Sequence, residues 1–356
     1  MRKQALAAAA LTIATAGVAH AGGISRDGDK SQILFEDGRN YVEISAATIN
    51  PNVSGSLGGG ALGSGNIQKS YLSFSGGYKH QYNDKWAFAI VAHQPVGADV
   101  EYIAGTPYPF SGSNASIESL AITGLVKYNF TDRISAYGGL RLQSMRGNLA
   151  IRTVGLPLPP VYNLNVSSDY RVGYVLGAAY QIPDIAMKVA LTYESEIEHS
   201  YLDNTGTPFD VTIPQAVTLH AQSGIAKNTL LFGSIRWQEW TAFEIRPRDF
   251  LGGAVAIASE PSDIWTYELG IGHRFSDNWS GALTVGYEKD QGDTVGNLSG
   301  KDGFTSLGLA VKYEEENWEV TTGIKYIDVG GARTSITANF TDNDAVAAGV
   351  KVGFRF

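Results

Sequence analysis

Short polar turns separate runs of about ten residues in which apolar and polar side chains alternate, and the pattern recurs from Arg39 to the end of the chain. A spacing of two sends successive side chains to opposite faces of an extended backbone, so each run reads as a strand with one apolar face. In Asn343 to Phe356, Val346, Ala348, Val350, Val352, Phe354 and Phe356 share one face, and Ala345, Ala347, Gly349, Lys351, Gly353 and Arg355 share the other. Trp318, Val320, Ile324 and Tyr326 likewise oppose Glu319, Thr321, Gly323 and Lys325, and Trp265, Tyr267, Leu269 and Ile271 oppose Thr266, Glu268 and Gly270. A chain written this way folds as an all-β protein.

The aromatic residues decide which way the apolar faces point. A soluble sandwich turns its large aliphatics inward, whereas a membrane barrel turns them to lipid, with aromatic girdles at both interfaces and polar or small residues inside. Tyr82 and Trp86, Phe130, Phe275 and Trp279, and Tyr313 and Trp318 flank tight turns at 83–85, 131–133, 276–278 and 314–317. These read as one girdle. Two more tight turns, at Pro183-Asp184 and Ala226-Lys227-Asn228, complete the short set. Longer connections rich in Gly, Pro, Ser and Thr lie near 51–66, 98–115, 149–165, 200–210, 241–262, 289–302 and 331–342. Short periplasmic turns opposite long outer loops are the asymmetry of an outer-membrane barrel, and seven hairpins predict about fourteen antiparallel strands. The pattern therefore predicts a transmembrane antiparallel β-barrel of about 14 strands.

Composition agrees. Only 17% of the residues are charged, against roughly 25% in soluble domains. No cysteine occurs, so stability rests on packing and strand pairing, and a net charge of −8 argues against nucleic acid as a partner. Arg2 and Lys3, the apolar run Ala5 to Val18 and Ala19-His20-Ala21 read as a secretory signal with its cleavage site. The expected organisation is thus a signal peptide over 1–21, a short N-terminal segment over 22–38 and a barrel over 39–356. After residue 21 no apolar run approaches the ~18 residues that signal a spanning helix, so membrane residence requires a barrel.

Several segments resemble the FadL/TodX family of outer-membrane transporters for long-chain fatty acids and other hydrophobic molecules. They are Gly22-Gly23-Ile24 with Ile33 to Gly38, Tyr41 to Gly55 with Asn50-Pro51-Asn52-Val53-Ser54-Gly55, Ala92 to Tyr102, and Trp237-Gln238-Glu239-Trp240-Thr241-Ala242-Phe243, which is similar to a W-x-E/D-W-x-x-F segment. The ending Val352-Gly353-Phe354-Arg355-Phe356 resembles the signal read by the barrel-assembly machinery. The resemblance implies a passive, monomeric transporter in the bacterial outer membrane, set among lipid and lipopolysaccharide. It further implies that a hydrophobic ligand such as a fatty acid is caught between outer loops, passes into a lumen obstructed by the short N-terminal plug segment 22–38, and exits sideways through the wall. A general porin for polar solutes is the alternative, and a barrel enzyme such as a phospholipase a lesser one.

Candidate sites follow. The loop Thr153 to Tyr162, with Leu156, Leu158, Val161 and Tyr162, is unusually apolar, and either forms part of a capture groove or packs over the barrel mouth. Pro95 cannot donate to a strand ladder and Gly97 follows it, so the third strand should kink there, as a lateral exit or as an ordinary bulge. Ile33, Leu34 and Phe35 either plug the lumen or begin the first strand. Alternation places Arg141, Arg171, Lys188, Arg236, Lys312, Lys325, Glu194, Glu268 and Glu319 on the lumenal side, where they pair with one another or, for an arginine such as Arg141 or Arg171, meet a ligand carboxylate. No enzyme signature stands out: His80, His93, His199, His220 and His273 are scattered, no H-E-x-x-H or G-x-S-x-G occurs, and Gly58-Gly59-Gly60 lacks the Lys-Ser/Thr of a phosphate loop. No cofactor and no metal is implied.

Overall fold

The computed structural model describes residues 23–341 and 343–356; the segment read as a signal peptide lies outside them. Fourteen long strands form the wall. They are β1 (Asn40–Asn52), β2 (Tyr71–Gln81), β3 (Trp86–His93), β4 (Asn114–Asn129), β5 (Ile134–Arg152), β6 (Val161–Ile182) and β7 (Met187–Glu194). The second half comprises β8 (Ala216–Ala226), β9 (Thr229–Gln238), β10 (Ile264–Arg274), β11 (Trp279–Glu288), β12 (Lys301–Glu314), β13 (Trp318–Thr334) and β14 (Asn343–Arg355). Each pairs antiparallel with the next. β1 also pairs with β14, from Tyr41 opposite Arg355 to Asn52 opposite Asp344, which closes the sheet and removes its edges. All six tight turns fall where the turn residues placed them.

The period-two pattern sorts the side chains by solvent. Ile44, Phe74, Phe88, Leu140, Val172, Leu269, Leu309 and Ile324 stand exposed on the outer surface, while Lys127, Arg141, Thr192, Glu194, Lys312, Glu319 and Lys351 are buried inside. Water would not tolerate such a surface, and lipid requires it. The aromatic girdle is built as read: Trp86 packs on Tyr128 at 4.7 Å, Tyr128 on Phe130 at 5.0 Å, Trp279 on Tyr313 at 4.9 Å and Tyr313 on Trp318 at 5.4 Å.

Inside, charges satisfy one another. Arg141 and Arg236 both grip Glu194. Lys312 and Arg355 meet at Glu319, and Lys325 reaches Glu268 at 2.9 Å. The outer half is apolar instead, because the long loops fold over the mouth and contribute Tyr102, Phe110, Phe209, Trp240, Phe250 and Phe340 to one buried cluster. The connection expected near 200–210 is an ordered hairpin. Ile197–Leu202 pairs with Pro208–Ile213 as its own small sheet, and the Tyr201 hydroxyl donates to the Met145 carbonyl at 2.9 Å.

Candidate functional site

The wall is interrupted beyond the end of β3. β2 and β3 are paired only from Gln81 opposite Ala87 to Ser75 opposite His93. Gln94-Pro95-Val96 then break the ladder, and the chain resumes at Gly97–Glu101, paired with β4 on one side and bridged on the other to the residues before β2, where the Lys69 N–H donates to the Asp99 carbonyl at 3.0 Å and the Glu101 N–H to the Ile67 carbonyl at 2.8 Å. Above His93 the edge of β2, with Phe74 and Leu72 exposed on its outer face, thus has no strand from β3 beside it. The Gln94 amide oxygen accepts from the Phe74 N–H at 3.2 Å, a single side-chain bond where a ladder would run.

Residues 23–38 run inside the barrel and take up part of that vacancy. Ser25 bridges Val96, the Arg26 N–H donates to the Pro95 carbonyl at 2.9 Å, and the Gly97 N–H donates to the Ile24 carbonyl at 2.8 Å. Proline offers no N–H but keeps its carbonyl as an acceptor, and here that carbonyl takes the N–H groups of Arg26 and Asp27. Further along, a 3₁₀ turn over Ser31–Phe35 buries Ile33 and Leu34. The Lys127 ammonium donates to the Leu34 carbonyl at 2.7 Å, and that of Lys79 to the carbonyls of Glu36 and Gly38. Phe35 lies edge-on to Tyr137 at 5.6 Å, with the ammonium groups of Lys127 and Lys188 at 4.4 and 4.7 Å from its ring centre. Burial alone would raise the Asp27 and Asp29 carboxyls. Lys30 and His93 beside Asp27, and His220 and Ser31 beside Asp29, outweigh it and hold both below the ordinary carboxylate value.

Between this segment, the loops and β4 to β6 lies a cavity of about 150 Å³. Its walls are largely apolar: Val100, Ile117, Met145, Leu149, Leu164 and Val166 from the barrel, Tyr201, Phe209 and Val211 from the hairpin, and Phe243, Ile245 and Ile257 from the loop after β9. Tyr71, Gly97 and Asp99 also line it, so the cavity borders the interrupted stretch of wall. Arg26, Asp99, Arg146, Glu260 and Lys301 are its charged members. Burial pushes the Glu260 carboxyl up to about 7 against the pull of Lys301 and a hydrogen bond from the Gly23 N–H.

The residues singled out from the sequence are distributed unevenly around this cavity. Gly97 lines it and Pro95 sits at the break behind it. Leu156 and Leu158 pack from outside against the apolar cluster, Val161 is exposed, and Tyr162 is buried with its hydroxyl donating to Asp249 at 2.7 Å. Ile33, Leu34 and Phe35 lie deeper in the lumen, with Lys79, Lys127 and Lys188 around them. Arg141 is committed to Glu194, and Arg171 to Asp169 at 2.8 Å. None of these nine touches the cavity. The residues that do, on the hairpin, were legible only as the alternation Phe209-Asp210-Val211-Thr212-Ile213 inside a stretch rich in turn residues. Phe243 stood in the quoted Trp237 to Phe243 segment. Its neighbour Trp240 is fully buried against Gly23, where a methyl group would stand 2.5 Å from the indole.

Residues 27–294 match the family described as outer membrane protein transport protein (OMPP1/FadL/TodX). Among solved structures, that of a Pseudomonas aeruginosa FadL homologue superposes with a TM-score of 0.75 at 15% identity, covering 96% of this chain and 98% of that one. The Pseudomonas putida toluene transporter TodX gives 0.68 at 12% identity over 92% and 93%. The Ralstonia pickettii toluene transporter TbuX gives 0.62 at 14% over 94% and 96%. Identities this low speak for the fold alone, and no curated protein matches the sequence. The family match extends over well more than half of the chain, and the closed barrel agrees with it: the chain belongs to the FadL/TodX family of transport proteins of the bacterial outer membrane.

Proposed function

We propose that this barrel takes up long-chain fatty acids or related hydrophobic molecules passively, holding them in the outer cavity and releasing them into the membrane between β2 and β3. The observation that carries the reading is the juxtaposition of the two: an apolar cavity whose wall includes Tyr71, Gly97 and Asp99, at the height where Pro95 ends the β2–β3 ladder. Each buried CH₂ contributes about 0.8 kcal/mol, so an apolar site needs no energy source for capture. A volume near 150 Å³ holds one benzene-sized ring, so the apolar part of this cavity takes an aromatic ring or a stretch of an alkyl chain at a time. Residues 22–38 act as the plug that keeps polar solutes from following, since the carbonyls of Leu34, Glu36 and Gly38 are tied to lumenal lysines. The barrel works as a monomer, with Phe356 as its handle for the assembly machinery.

The test is binding of a fluorescent long-chain fatty acid to the detergent-purified barrel, with single-channel conductance on the same preparation. Saturable binding with little ion conductance is expected. A large conductance that the ligand does not affect, without binding, would make the protein a general porin.

A further inference from the structure

Inside the barrel two histidines stand against two carboxylates of the N-terminal segment. His93 of β3 holds its Nδ1 3.3 Å from Asp27, and His220 of β8 holds its Nε2 3.3 Å from Asp29. Neither nitrogen of His93, nor the His220 Nε2, makes a hydrogen bond among the described residues. The two carboxylates are not equally provided for. Asp27 has a cation of its own segment, Lys30 at 2.7 Å. Asp29, with 1% of its side chain exposed, has His220 as its one ion-pair partner among the described residues. The hydroxyls of Ser31 and Thr192 each donate to it at 2.8 Å, but they bring no charge. A buried carboxylate is held firmly when its counter-charge is present and poorly when it is missing. Here that counter-charge comes and goes with one proton.

The charges facing His93 are Asp27 and Lys30 of the segment and Arg141 of β5. Its ladder partners, Ser75 and Ala121, are uncharged. On the strands around His220, whose partners are Ala190 and Ser234, the inward charges are Lys188 and Glu194 of β7, Arg236 of β9 and Glu268 of β10. Glu194 is taken by Arg141 and Arg236, and Glu268 by Lys325, so Asp29 is the acceptor left to a charged His220. We infer that the two pairs form a proton-operated latch: protonation of His220 and His93 turns both contacts into ion pairs that lock the segment in the lumen, and loss of the protons loosens it. Acid outside the cell thus closes the passage, and mild alkali opens it. Histidine changes charge between about pH 5 and 8, and proton binding and latching strengthen each other by linkage. This rests on residues 22–38 acting as the plug and adds what controls it.

The experiment records the conductance of small ions through the purified full barrel in planar bilayers at about pH 5.5 and about pH 8, on either side of the histidine range. The wild type is expected to conduct at least about fivefold more at the higher pH, the lower end of ordinary coupling between sites. His93→Gln combined with His220→Gln is expected to conduct at both values as the wild type does at the higher one. Glu260, whose carboxyl is raised to about 7, remains in that double variant, so a contrast lost there belongs to the histidines. If the double variant fails to fold, Asp29→Asn decides: a smaller contrast supports the latch, and an unchanged one overturns it. Equal conductance of the wild type at both values overturns the latch, as does a double variant that keeps the contrast. Deletion of residues 23–37 separates the two readings. High conductance at both values leaves the plug standing whatever becomes of the latch, and an unchanged low conductance removes plug and latch together.

Discussion

At Glu194 two guanidinium groups, those of Arg141 and Arg236, converge on one carboxylate inside the barrel. Removing the shared partner leaves two buried cations uncompensated, which costs about 3–5 kcal/mol. Glu194→Gln is therefore expected to lower the denaturant midpoint of the purified barrel clearly, while Glu118→Gln, in an exposed pair with Arg146, is expected to move it little. Both are read by gel migration of the folded form against denaturant. Glu260 carries a pH dependence. Its carboxyl, raised to about 7 from 4.5, faces Lys301, Glu288 and Asp302 and lines the cavity from a loop outside the membrane. Below about 7 it is neutral, and above it a charge sits in the cavity wall. The unfolded chain loses this proton first, so the group's contribution to stability falls as pH rises from about 4.5 to about 7 and is flat above. The same sign holds for ligand: affinity for an uncharged hydrocarbon such as toluene is expected to fall as pH rises through about 7, and Glu260→Gln is expected to abolish that dependence, measured by titration between pH 5 and 9.

Among elements, β3 is the one whose sequence breaks its own pattern. Trp86 to His93 alternates cleanly, and Gln94-Pro95-Val96 then forfeit the ladder to β2. Proline explains the missing N–H, but the vacancy persists because residues 24–27 occupy the inner side and Arg26 fills the space a side chain at position 97 would need. A Pro95→Val, Gly97→Val variant adds a donor and expels the guanidinium, so β2 and β3 are expected to zip further outward. Ligand uptake into cells or liposomes is expected to drop at least about tenfold, while affinity for an uncharged ligand changes much less. Normal uptake would place the exit elsewhere in the wall. The kink was legible in Pro95 and Gly97 themselves. The partner of Gly97 was not, since nothing in the spacing of residues 26 and 97 brings them together.

At the scale of the whole molecule, the barrel is a shell whose two halves are filled differently: ion pairs and the N-terminal segment inward of Phe35, apolar loops and the cavity toward the outside. Deleting residues 23–37 removes the Glu36 and Leu34 carbonyls that accept from Lys79 and Lys127, and the apolar residues Ile33 and Leu34, from the lumen. Single-channel conductance for small ions is expected to rise severalfold, and an unchanged conductance would mean that loops alone seal the barrel. The amino-acid sequence by itself determined the class, the strand count, the turns and the side of the wall each residue faces. A period of two read against tight turns is a local signal, and lipid on one side and water on the other leave it one solution. Only the tertiary structure decided which residues form the cavity. Leu156 and Leu158 are as apolar as Tyr201 and Phe209, and all four stand in stretches that read as loop. The hairpin over 197–213 lines the cavity and the loop over 153–160 does not, because the cavity is made where segments more than 100 residues apart close on one another. That closure depends on the path of the closed sheet, and alternation within any one strand carries no record of it.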